Sequence, residues 1–249
     1  MRRQGRNDAV QSRAQHDYAD LVSYLPTFRD SGNAFGLSPN ASIPEIDLAW
    51  LKYCDYCFDR VDQIRGDPDL PVPIQQLNQL LAESVIEDHL GDGWLEENVV
   101  RPNTRQAAGY IDYDTTRVQR LLGLYRVQEL ARRLFQLQSF DWFPRMVAKL
   151  RTENLSGVGF ELDVLWLLHL ASVNVQARSE VGARGSDYDL SAIILDRRIP
   201  VEAKAKDDST PFTAGTVTQT LKRAAQQMPK GQQGVIFLRI PYSWASRRT

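Results

Sequence analysis

The chain has 249 residues, 43% of them hydrophobic and 24% charged, with a formal net charge of −1. That length buries a substantial core, and the balance excludes a disordered, collagenous or broadly cationic nucleic-acid-binding chain. Two cysteines are too few for a disulfide framework, no apolar leader follows the basic start, and the longest apolar stretch falls far short of the roughly 20 residues a bilayer needs. The expected compartment is therefore the cytoplasm, with no membrane association.

Residues 1–41 mix charges with Gly, Ser, Asn and Pro without a period and read as a loosely ordered arm. Ser42 with Glu45 has capping-box spacing, and Ile46, Ala49, Trp50, Tyr53, Cys54, Cys57, Val61 and Ile64 recur at helical intervals until Gly66. A proline-rich connector at 66–73 precedes helical spacing over 74–90, and residues 91–114 stay ambiguous. Val118, Leu121, Leu122, Tyr125, Leu130 and Leu134 predict a long helix over 115–138, and a shorter one follows at 142–151. Residues 42–152 are thus a helical region suited to recognition, dimerisation or docking.

From residue 153 the pattern changes. A nearly all-apolar helix at 157–171 is followed by strands at 173–180, 187–195 and 199–206, with turns at 182–185 and 196–198, then a helix at 215–228 and a strand at 234–240. The order αβββαβ makes the first three strands antiparallel neighbours and lets the fourth, after its crossover, run parallel to one of them. The predicted class is α+β: a helical N-terminal region, then a core with a mixed sheet over 153–249. The basic excess of three charges in residues 151–249, against an acidic excess of four in 1–150, falls on that core.

Alternation in 201–206 sends Glu202, Lys204 and Lys206 to one face of a strand, about 6–7 Å apart between neighbours. Asp187 and Asp189 share a face of the preceding strand, so a hairpin brings three carboxylates near one lysine. Hard cations such as Mg²⁺, or Mn²⁺ in its place, take oxygen ligands and keep waters; Asp189, Glu202 and the backbone carbonyl of Ala203 can supply them, with Asp187 as a possible additional ligand. Lys204 then orients the attacking water and offsets charge on the phosphorane-like transition state. Among six lysines only Lys204 has an acid two positions before it.

Asp189 and Glu202-x-Lys204 on an αβββαβ core, with a carboxylate on the preceding helix, resemble the PD-(D/E)XK nuclease superfamily, the restriction-endonuclease-like fold, over about residues 155–240. The resemblance implies Mg²⁺-dependent cleavage of nucleic acid, DNA ahead of RNA and endonucleolytic ahead of exonucleolytic, in restriction, defence or repair. It makes Glu161, Asp189, Glu202 and Lys204 the catalytic set, the first three also metal ligands, and it matches Gln226 or Gln227 to a glutamine facing the site. Tyr188 stands where the family name has proline.

Each assignment has a plainer rival. The charged hairpin can be a solvated edge that deters aggregation, which leaves a catalytically inactive nucleic-acid- or protein-binding module on the same fold. Glu161, on a helix apolar nearly all round, needs a partner, which metal or the helix N-terminus would supply; Asp163 points about 200° away and reads as structural. Gln219, Lys222, Arg223, Gln226 and Gln227, with Lys206, form a polar surface for substrate or an ordinary wet face. The arginines at 117, 120, 126, 132 and 133 spread around their helix, as on a solvated face. Cys54 and Cys57 lack a second ligand pair, so no zinc is expected, and no Gly-rich loop signals a nucleotide cofactor. His169 ends the apolar helix, where it packs or caps.

Overall fold

The computed structural model describes residue 37, residues 40–65, 74–100, 117–178, 185, 187–206, 210–211, 213–241 and residue 244. Most of the arm at 1–41, the connector at 66–73 and residues 101–116 and 179–184 lie outside these. Helices α1 (Ile43–Arg65), α2 (Ile74–Leu90), α3 (Arg117–Leu137), α4 (Phe143–Thr152) and α5 (Leu155–Leu170) precede strands β1 (Asn174–Ala177), β2 (Leu190–Ile194) and β3 (Arg197–Ala205), helix α6 (Ala214–Gln227) and strand β4 (Val235–Arg239). A π-helical segment, Glu96–Val100, falls where the pattern is ambiguous. This is the α+β architecture the sequence predicts, and no helix among the described residues is long and apolar enough to cross a membrane.

The helices form where apolar spacing and caps coincide. At α1 the Glu45 carboxylate accepts the Ser42 N–H at 2.7 Å and the Ser42 hydroxyl at 2.6 Å, so the capping box closes from its acid side. Ile46, Ala49, Tyr53 and Cys57 are buried, with the Phe135 ring of α3 packed 4.8 Å from Trp50 and 5.7 Å from Tyr53. On α3 the buried stripe runs Val127, Leu130, Ala131 and Leu134, whereas Tyr125, placed on the stripe by spacing, stands in solvent. Arg133 also departs from a solvated face: it pairs with Asp163 at 3.1 Å and Glu129 at 3.3 Å. Asp163 is thereby structural, as its angle predicts.

Asn154 caps α5, its side-chain oxygen accepting from Ser156 N at 2.8 Å and Gly157 N at 3.3 Å, so the helix begins two residues earlier than periodicity indicates. The helix packs on β1, β2 and β3, while Phe160, Asp163, Leu167 and Leu170 form a stripe that is half-buried or exposed. His169 packs between the Phe140 and Trp166 rings at 5.0 and 5.5 Å.

The sheet order is β1-β2-β3-β4, antiparallel through the first three strands and parallel between β3 and β4. Strand β2 is shorter than the predicted 187–195, and β1 runs only from Asn174 to Ala177 of the predicted 173–180, whose last two residues lie outside the described ones. The β2–β3 connection is also tighter than the predicted turn at 196–198: Ile194 pairs with Arg197, leaving Leu195 and Asp196, both at positive φ (49° and 58°), as a two-residue type I′ turn. On the outer edge of β1, Trp142 Nε1 and an Arg145 guanidinium nitrogen donate to the carbonyls of Val175 and Ala177 at 3.0 and 2.9 Å, so α4 occupies part of that edge. A continuous cluster of buried apolar side chains extends from Ala41 through the helices to Ala203.

Candidate functional site

The register of the β2–β3 hairpin builds the site. Leu190 pairs with Val201, so Asp189 stands opposite Glu202, and the two residues are laced together. Asp189 N–H donates to Glu202 Oε2 at 3.2 Å, and Ala203 N–H donates to Asp189 Oδ2 at 2.9 Å. A strand residue sends its N–H and C=O to the same edge, so the Ala203 carbonyl leaves β3 on the Asp189 side. The Asp189 carbonyl accepts from Arg178 N at 3.0 Å, and the Arg178 guanidinium lies 4.2 Å over the ring of Tyr188, the residue in the proline position.

Lys204, two residues along β3, contacts Glu202 Oε1 and lies 4.0 Å from Asp189 Oδ2. Glu161 joins from α5, where the charge of Asp189 acts on it and its own charge acts on Lys204. Three sequence-predicted acids and the predicted lysine therefore share one electrostatic cluster. Its polarity differs from expectation in one respect: Glu202 is fully buried at 0% exposure, and Glu161 and Asp189 stand at 7% and 9%, so the acids are enclosed, while Lys204 and Lys206 on the same face of β3 keep part of their surface in solvent.

The partner of Glu161 is neither a helix terminus nor a group on the predicted core. It is Lys149 of α4, whose ammonium lies 2.7 Å from Glu161 Oε2 and 3.8 Å from Glu153. Sequence reasoning missed it, although a signal is present: the residues α4 buries are Phe143, Met146, Lys149 and Leu150, a spacing that places this lysine on the apolar stripe.

Burial dominates the electrostatics. It pushes Glu161 up to about 7, reinforced by the Asp189 charge and opposed by Lys149. Burial and then Asp189 likewise push Glu202 up to about 7, against Lys204. Burial works against charge on Lys149, yet Glu161 above all, then Glu153 and Asp189, hold it above its ordinary value. Lys204 is raised in the same manner, burial being outweighed by Asp189, Glu202 and Glu161. Both lysines are thus cations throughout the neutral range, and Lys204 is a source of positive charge rather than a general base.

The remaining predicted residues are dispersed. Asp187 is tied through its backbone to α6, its N–H donating to the Gln227 carbonyl at 3.1 Å and its carbonyl accepting from Gln227 Nε2 at 3.2 Å. Gln227 thereby anchors the entry to β2. Gln219, Lys222, Arg223 and Gln226 are exposed on α6, which buries Thr220 and Ala224, and Lys206 is half-buried where β3 ends. Cys57 is buried and Cys54 half-buried, with burial pushing the thiols up to about 12 and about 11. A cavity of about 850 Å³ runs along β1 between Trp142, Arg145, His169 and Gln176, and none of the clustered acids lines it.

Among the described residues no group of three or more His, Cys, Asp and Glu side chains is arranged to hold a metal ion. The donor set nonetheless suits a hard cation in a smaller way: two facing carboxylates, Asp189 and Glu202, with the Ala203 carbonyl on the same edge. Mg²⁺ commonly takes one or two carboxylates and keeps its waters. Comparison of the chain with family models, with characterised proteins and with solved structures returns no match.

Proposed function

We propose that this chain is a metal-dependent nuclease that hydrolyses phosphodiester bonds, DNA ahead of RNA, as a cytoplasmic member of the PD-(D/E)XK superfamily. A mixed four-stranded sheet flanked by helices is common to many α/β proteins, so the proposal rests on one observation: Asp189, Glu202 and Lys204 meet across a hairpin with Glu161 beside them. Asp189 and Glu202, with the Ala203 carbonyl, would hold the cation. When bound, it supplies Lewis acidity, polarising a phosphoryl oxygen and lowering the pKa of water. Lys204 would orient the water and meet the negative charge developing on the phosphoryl oxygens; the water releases a proton to solvent as the new P–O bond forms and the ester P–O bond breaks, and the leaving oxygen takes a proton from solvent. Lys222 and Arg223, with Gln219 and Gln226, offer phosphate contacts on α6, and the N-terminal helices serve recognition, a homodimer or a partner protein.

A second reading has its own observation. Lys149 and Lys204 already neutralise Glu161 and Glu202, and backbone N–H groups already occupy Asp189 and Glu202. A closed, internally paired cluster of this kind fits a catalytically inactive nucleic-acid- or protein-binding module more directly than a metal-ready pocket does. Metal separates the two. Labelled duplex DNA, single-stranded DNA and RNA are incubated with the full chain across a titration of Mg²⁺ and Mn²⁺, beside Lys204→Ala. The nuclease reading predicts metal-dependent cleavage, about 10²–10³-fold slower in Lys204→Ala, the scale of losing one charge-stabilising donor, with circular dichroism showing a folded variant. No cleavage of any substrate at any metal concentration contradicts it and leaves the binding module.

A further inference from the structure

The two edges of the sheet are treated differently. On β1, Trp142 and Arg145 cover the carbonyls of Val175 and Ala177. Strand β4 ends the sheet on the other side, and no described residue pairs with its outer edge. One bond fixes which groups face outward: Lys206 N–H donates to the Arg239 carbonyl at 3.1 Å, so Arg239 addresses β3. Alternation puts Val235 and Phe237 on that same side and leaves the N–H and C=O of Ile236 and Leu238 on the open edge. Sheet edges are normally guarded by lysine, proline, a bulge or a cover. Strand β4 reads Val-Ile-Phe-Leu-Arg, and its one charge is turned back onto α5, where Arg239 donates to Ser156 Oγ at 2.6 Å and lies 5.4 Å over the Phe160 ring.

What fits this edge is a second copy of itself. With two β4 strands antiparallel about a two-fold axis at Phe237, Ile236 of each copy meets Leu238 of the other, and each such pair exchanges two hydrogen bonds because both residues face outward. This register pairs all five residues of the strand. Arg239 stands opposite Val235 of the second copy, so no like charges meet across the axis.

Helix α6 extends the same surface. It packs on β3 and β4 alike and turns Thr220 and Ala224 toward the sheet. At about 100° per residue, Val217, Leu221 and Ala225 form the flank on one side of these and Gln219 and Arg223 the flank on the other. A right-handed β3–α6–β4 crossover turns the uncharged flank toward the outer side of β4, and on it Leu221 and Ala225 are exposed. In the joined sheet the two α6 helices lie two strand spacings apart, about 9.5 Å, the separation at which helices pack through small and apolar side chains.

We propose that β4 and the Val217, Leu221 and Ala225 flank of α6 form a two-fold interface between copies of this chain, joining two four-stranded sheets into one. This places a homodimer contact at the sheet edge rather than on the N-terminal helices, and it depends on neither a cation nor cleavage.

Sedimentation velocity of the full chain across about 1–100 μM, a span that covers micromolar affinity, tests it on wild type and three variants, each checked for native circular dichroism. Leu238→Pro deletes an outward N–H and leaves the β3–β4 ladder its bonds. Leu221→Lys sets a charge on the α6 flank at an exposed position, and so decides the matter should the proline variant fail to fold. Leu51→Lys does the same on α1, where Leu51 is exposed. Wild type is expected at twice the mass of one chain, with dimerisation weakened at least about tenfold in Leu238→Pro and Leu221→Lys, two hydrogen bonds across the axis being lost in the first, and unchanged in Leu51→Lys. Wild type at the mass of one chain throughout overturns the interface. So does a dimer of wild-type affinity in either folded β4 or α6 variant, or one lost in Leu51→Lys, which moves the contact to the N-terminal helices.

Discussion

Glu161 and Glu202 differ in origin, one on a helix and one on a strand, yet both are driven up to about 7 from an ordinary 4.5, by burial first and the shared neighbour Asp189 second. Between those two values the folded chain holds protons that the unfolded chain has released. The pair therefore contributes most stability below about pH 4.5 and loses it as pH rises toward 7. The lysine contributions run the same way but in another window: raised above 10.5, they are complete below that value and lost only at higher pH. Thermal melts from pH 4.5 to 8 check the carboxylate effect: the melting temperature of wild type is expected to fall relative to Glu202→Gln across this window. Parallel wild-type and variant profiles would contradict it. Much of the cluster was legible one residue at a time. Glu161 stands out as an acid on an all-apolar helix, and Glu202 and Lys204 as an alternating pair. Lys149 was not, because its partner lies twelve positions away on the next helix and only the packing of α4 on α5 brings them together.

At the level of elements, the shortest turn has the largest consequence. With Leu195 and Asp196 alone in the turn, Leu190 meets Val201 and Asp189 faces Glu202. A three-residue turn at 196–198, which the local sequence suggests, would set Asp189 opposite Ala205 and send Glu202 to the other side of the sheet, because a one-sided slip exchanges faces. The two strands were readable from β-branched runs, but their register was not, since Leu195 lacks the usual Asn or Gly signature. That exposed leucine, 90% accessible at φ 49°, carries the left-handed penalty of roughly 1–2 kcal/mol for an L-residue. Leu195→Asn is expected to recover about 1 kcal/mol, a rise of roughly 2–4 °C in melting temperature for a chain this size, measured by calorimetry. A fall would show that Leu195 makes a contact worth more than the backbone strain it bears.

Across the whole molecule, the helical region does more than flank the sheet. Its buried side chains join those of α5, β2 and β3 in one apolar cluster, and α4 contributes both the cover on the β1 edge and the lysine that meets Glu161. The α+β layout was legible because apolar periodicity changes from helical to alternating at about residue 156, and Gly and Asp punctuate the strands. What sequence could not supply was depth: an acid on an alternating strand looks solvated until α5 and the neighbouring strands are seen to enclose it. The proposed nuclease requires this enclosed pair of carboxylates to bind a hard cation. Crystals soaked in Mn²⁺ and measured for anomalous scattering test it most directly. A peak is expected between the Asp189 and Glu202 carboxylates, about 2.1 Å from their oxygens as for a hard octahedral ion, with Lys149 still on Glu161. An empty map at that position, with both acid–lysine pairs intact, would contradict it.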